Sequence, residues 1–114
     1  MKIGASKDVP RKPVEIDGAQ GVGIRVLIGK DDGAPNFAMR MFDLQPGGHT
    51  PLHAHPHEHE VFVVEGEGVV TFEGEEHRLE PEHVVFVPGG VEHNFRNTGA
   101  STFRFLCLVP IEAS

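Results

Sequence analysis

Residues 47–66 read GGHTPLHAHPHEHEVFVVEG, a stretch in which His49, His53, His55, His57 and His59 crowd into eleven positions and are followed by the apolar run Val61, Phe62, Val63 and Val64. Imidazole is the commonest protein metal ligand, so this density is first a metal-site signal. His53 and His55 make the sharpest pair, because residues two apart on an extended segment project to one face and can share one ion. His59 lies four positions beyond His55, past Pro56, within reach as a third ligand. The competing reading is a solvated histidine-rich loop between strands, and for an isolated H-x-H it is the stronger one.

Residues 88–97, PGGVEHNFRN, shift that balance. Together the two segments resemble the paired motifs of the cupin superfamily. Gly47, His53, His55 and Gly66 fall on the first motif, G-x5-H-x-H-x3 or 4-E-x6-G, and Pro88, Gly90, His93 and Asn97 fall on the second, G-x5-P-x-G-x2-H-x3-N. Glu82 stands where the second motif begins with glycine. The gap to Gly66 puts His59 where the family usually carries a glutamate ligand. Glu60 is the neighbouring alternative, but leaves only five residues before Gly66. The chain is thus similar to small single-domain cupins of the conserved-barrel type that hold their metal with four histidines, one of them containing manganese. The resemblance implies His53, His55, His59 and His93 as ligands, an all-β jelly-roll barrel of two antiparallel sheets, and manganese among the candidate metals. Imidazole-rich sites by themselves suit Zn, Cu, Fe or Ni.

The rest of the chain agrees with a barrel. Apolar residues alternate over residues 22–28, further strands read over residues 37–44, 61–65, 69–73, 75–79, 83–87 and 102–109, and Gly- or Pro-bearing turns punctuate these runs. Short strands at near-regular spacing without a sustained helical period argue a sandwich or closed barrel. At 114 residues the chain makes one domain, read here as an extended N-terminal arm over residues 1–15 and a barrel over residues 16–114. In many cupins such an arm pairs with the partner subunit's sheet. A net charge of −7 disfavours a nucleic-acid partner, and no apolar run reaches the length of a membrane span. The single cysteine makes no internal disulfide, which suits the cytoplasm.

Two strands are apolar on both faces. Ala38, Phe42 and Leu44 oppose Phe37, Met39 and Met41, while Phe103, Phe105, Cys107 and Val109 oppose Leu106 and Leu108. One face fills the barrel and the other needs a cover, which predicts a homodimer burying outer residues such as Leu106 and Leu108. Arg40 shares the face of Ala38 and Phe42. It is either a fixed cation near the metal, able to orient an anionic or carbonyl substrate, or half of a surface ion pair. Cys107 is expected to line the pocket as a small hydrophobe, with a thiol beside the metal ligands as the alternative. Phe95 and Phe105 are expected pocket walls. His77 and His83 read as surface or strand-end residues, and His49 and His57 lie off the motif positions. A ligating imidazole needs an acceptor for its second nitrogen; Glu60, Glu92 and Asn94 are nearby polar groups.

Four neutral nitrogens leave a bound ion its full charge as a Lewis acid. Three function classes follow. The first is a metal-dependent oxidoreductase, dioxygenase-like, acting on a small organic molecule. The second is a non-catalytic small-molecule or metal-binding module. The third is a sugar-type isomerase or epimerase, which ranks last because the basic residues do not cluster near the motifs. No catalytic residue beyond the metal is named by the sequence.

Overall fold

The computed structural model describes residues 1–114, and nine antiparallel strands carry the fold. They are β1 (Lys12–Pro13), β2 (Gln20–Ile28), β3 (Phe37–His49), β4 (His59–Glu65), β5 (Gly68–Phe72), β6 (Glu75–Leu79), β7 (Val84–Val87), β8 (His93–Asn97) and β9 (Phe103–Pro110). The sheet runs β6-β5-β8-β3-β9-β4-β7, and β2 joins β3 and carries β1. This is the jelly-roll expected, with one refinement. The two halves are hydrogen-bonded into a single curled sheet, because the end of β3 crosses from one to the other and pairs His49 with both Gln20 of β2 and Arg96 of β8.

That crossing corrects the expectation that the second strand stops at residue 44. Pro46 cannot donate to a ladder and should end a strand. Instead the β2 register shifts between Gln20 and Val22, so residues 45–48 bulge and the strand resumes. Gly48 permits it, since a Cβ there would lie 2.8–2.9 Å from the carbonyl oxygens of Gln45, Gln20 and Gly21. The motif glycine Gly66 is constrained in the same way: it sits at φ 81°, and any side chain would strike the Thr102 carbonyl. β8 was absent from the strands read in the sequence, because HNFRN is polar at four of five positions and lacks a β-branched residue.

Alternation builds the core. In β9 the inward residues Phe103, Phe105, Cys107 and Val109 are buried while Arg104, Leu106 and Leu108 are half-buried outside. Phe105 packs on Phe95 across the barrel at 4.7 Å and on Phe42 at 5.4 Å between ring centroids. The outer face keeps large apolar groups in the open, with Val84 75% and Phe86 56% exposed and Phe62 beside them. Residues 1–15 lie against the chain's own β2: Lys12 and Pro13 pair with Ile24 and Gly23, and Lys2 reaches the Leu27 carbonyl and Asp32.

One buried charge holds this outer layer together. Asp43, 1% exposed, accepts hydrogen bonds from Arg11, Arg25 and Arg104, gathered from the arm, β2 and β9. Desolvation pushes its carboxyl pKa up, but the bonds from Arg104, Arg11 and Arg25 prevail and hold it below 3.8. The resulting stability is complete above the unfolded carboxylate value and is lost as pH falls through the folded one. We expect Asp43→Ala to cost about 3 kcal/mol at pH 7, because three guanidiniums lose their shared partner while keeping some solvent contact. Urea unfolding checks this, and the gap to the unaltered chain should narrow as pH falls through the folded carboxylate value.

Candidate metal centre and its cavity

Residues 50–58 leave the sheet at the end of β3 and return to it at His59. Backbone bonds pin this connection across β8 and the turn before it. Thr50 N–H donates to the Phe95 carbonyl, His53 and His93 exchange both backbone hydrogen bonds at 3.2 and 3.0 Å, and Gly90 N–H donates to the His55 carbonyl at 2.7 Å. A histidine from each motif is thereby set opposite the other. The ring centroids of His53, His55 and His59 come within 5.5, 4.9 and 5.4 Å of His93. His59, the first residue of β4, points inward and is 9% exposed, while Glu60 faces outward and is exposed.

The outer nitrogens of three rings are engaged. His55 Nδ1 lies 2.8 Å from the His57 carbonyl, His93 Nδ1 2.9 Å from the Val91 carbonyl, and His59 Nδ1 2.8 Å from Cys107 Sγ. Two backbone carbonyls and a sulfur therefore stand where Glu60, Glu92 and Asn94 had been weighed. Backbone acceptors carry no sequence signature, which is why the sequence did not name them. A carbonyl oxygen only accepts, so Nδ1 of His55 and His93 carries the proton and Nε2 keeps its lone pair. Nε2 of His55 and His59 lie 2.6 Å apart. Donor nitrogens of His53, His55 and His93 fall within 4.8 Å of one another, as do those of His55, His57 and His59.

Burial favours neutral rings. Desolvation pushes His59 down to about 3, helped by the neighbouring His55 and Arg40 charges. It also lowers His53, with His55 adding to the effect, and lowers His93 against an opposing bond to Val91. Neutral nitrogens converging at these distances are the donor set that a divalent transition metal takes, so the residues fit such an ion.

The histidines open on a cavity of about 270 Å³. Arg40, Phe95, Phe105 and Cys107 line it, and Arg40 makes no ion pair with an acidic side chain. Arg40 Nη2 donates to Cys107 Sγ at 3.3 Å, its guanidinium lies 5.1 Å above the Phe42 ring, and its buried Nε has no partner. Cys107 bridges Arg40 and His59, and desolvation pushes its thiol pKa up against the Arg40 charge. His49 sits at the end of β3 away from the cavity, and His77 and His83 are exposed. Sequence reasoning missed the apolar rim from the N-terminal side, Val14, Ile16, Val22 and Ile24, and also His57. A histidine at every second position from 53 to 59 was the available signal for His57.

The Cupin_2 family model, described as a cupin domain, matches residues 40–109. The polyketide cyclase RemF from Streptomyces resistomycificus superposes with a TM-score of 0.92 at 34% identity, covering 97% of this chain and 80% of that one. The oxalate-binding protein of Thermotoga maritima is 29% identical over 114 residues, 96% of this chain and 93% of its own length. A 1-methylthio-D-xylulose 5-phosphate methylsulfurylase of Rhodospirillum rubrum is 34% identical over 74 residues, and there the chain spans about half of the relative, 47% of its length. A barrel closed around two motif segments, the histidines those segments bring together, and a family match over most of the strands agree: the chain belongs to the Cupin_2 family of cupin domains.

Proposed function

We propose that the chain holds one divalent transition-metal ion through His53, His55, His59 and His93 and acts on a small organic molecule of largely apolar body that carries an anionic or enolic oxygen. The observation that carries this reading is the convergence of the imidazole nitrogens at the floor of a cavity whose one cation, Arg40, has a buried Nε without a partner. A bound ion would supply Lewis acidity toward a substrate oxygen and, for a redox metal, electron transfer. Manganese is favoured over Fe, Ni, Cu or Zn by resemblance alone.

The chain's own groups divide the remaining work. Cys107 and the His57 and Val91 carbonyls orient the ligand rings, as outer partners of metal ligands do. Arg40 fixes the charged end of the substrate, and Val14, Ile16, Phe42 and Phe95 exclude water from its body. Oxidoreductase chemistry of the dioxygenase kind is the reaction we assign. The polyketide cyclase relative supports diketones and phenols as the first compounds to try. A second reading, a non-catalytic binding module, is favoured by the oxalate-binding relative. No acidic residue lines the cavity, so an isomerase built on a carboxylate acid/base pair has no such pair here.

The deciding experiment is metal analysis followed by oxygen uptake with a panel of diketones, thiols and phenols. Oxygen consumption supports the oxidoreductase, substrate loss without it supports a cyclase-like reaction, and tight binding with no turnover supports the module. Metal analysis should find one ion per chain, and His55→Ala should lose it. A chain purified from unchelated medium with no metal sinks the reading.

Two further outcomes are expected. In chelator-treated protein, the lowered pKa values of His53, His59 and His93 mean that the unfolded chain takes up protons which the native site refuses. Stability is therefore full above about pH 6.5 and declines as pH falls toward the folded values. Thermal melting between pH 7 and 5 should show this decline, shallower in His59→Gln. We also propose a homodimer across the outer face of β3, β9, β4 and β7, where Phe62, Val84 and Phe86 are exposed beside Leu106 and Leu108. Light scattering at micromolar concentration should give twice the chain mass, and Phe86→Glu should reduce it to one. No helix is long and apolar enough to cross a membrane, and a cytoplasmic location remains our assignment from the single free cysteine.

A further inference from the structure

His57 lies outside the four motif positions, yet its ring lines the cavity beside them. It stacks on His55 at 3.9 Å with the ring planes 2° apart, and its centroid is 5.2 Å from that of His59. Its donor atom lies within 4.8 Å of those of His55 and His59, the same span that groups His53, His55 and His93. No hydrogen bond engages either nitrogen of the His57 ring, whereas Nδ1 of His55, His59 and His93 is engaged in each case.

We infer that His57 is a fifth imidazole of the metal centre, forming with His55 and His59 a second three-histidine position that overlaps the one made by His53, His55 and His93. This rests on the reading that the motif histidines hold one ion. The two positions exclude each other, because the His57 carbonyl occupies His55 Nδ1 and only Nε2 of His55 remains to bind. An ion therefore sits in one or the other, or between them on the four motif rings. Parallel rings do not aim their lone pairs at a common point, so His57 must swing about its side-chain torsions to bind. Half-buried and free of hydrogen bonds at its ring, it has the freedom to do so, while its backbone stays anchored through the His55 contact.

The consequence is redundancy at the buried end. Losing His93 leaves the His55, His57 and His59 position intact, whereas losing His93 and His57 together leaves neither. The test is a double-mutant cycle on Zn²⁺ affinity, read by competition with a chromophoric chelator, using His57→Phe, His93→Ala and the pair. Phenylalanine keeps the stack on His55 and removes only the nitrogen donors. We expect His57→Phe alone to stay near the wild-type affinity and the double variant to bind Zn²⁺ about tenfold or more weakly than His93→Ala alone. A double variant equal to His93→Ala overturns the proposal, and so does His57→Gln combined with His93→Ala if it too matches. Melting in chelator shows whether each variant is folded before its affinity is compared. Wild-type protein that takes up no Zn²⁺ removes the four-histidine reading and this one with it, whereas wild-type uptake with an additive cycle removes this one alone.

Discussion

The exchange of two backbone hydrogen bonds between His53 and His93 is the contact on which the rest depends. It joins residues forty apart in the chain and fixes two imidazoles edge to face, with ring centroids 5.5 Å apart. Everything around it supports that bridge. Thr50 and Gly90 pin the loop on either side, and the bulge at residues 45–48 lets β3 run on to His49, so that the loop leaves the sheet at the right place. Loop closure of this kind costs conformational entropy, and the surrounding ladder supplies the cooperativity that offsets it.

The parts of this architecture legible in the sequence are those with local causes. Alternation in TFRFLCLV names the two faces of β9 and puts Phe105 and Cys107 on one of them, and alternation in β3 puts Arg40 with Ala38 and Phe42, while which β3 face turns inward is a matter only the fold decides. The histidine spacing singled out His53, His55 and His93, and it kept His59 beside Glu60 as an open pair until strand polarity turned one inward and the other out.

What stayed hidden has partners far away in sequence or no side chain at all. Asp43 reads as an ordinary polar position on an outer face; only folding brings Arg11, Arg25 and Arg104 to it. The acceptors that orient His55 and His93 are main-chain carbonyls, identical at every residue. The bulge defeated a sound rule about proline because the rule concerns ladder hydrogen bonds, and the bulged residues make none that Pro46 would have to supply. Val14 falls in the stretch read as an arm by composition, yet it lines the cavity beside Ile16.

The orphaned Nε of Arg40 has a bearing on recognition. A guanidinium nitrogen shut away from both solvent and acceptor carries a desolvation cost that nothing else in the fold offsets. On the proposed reading, a guest bringing an oxygen to the guanidinium would be retained partly through relief felt by the host itself. A hydrocarbon of identical outline would gain nothing of the kind, so on the proposed reading polarity at one point adds a discrimination that apolar walls supply only by volume.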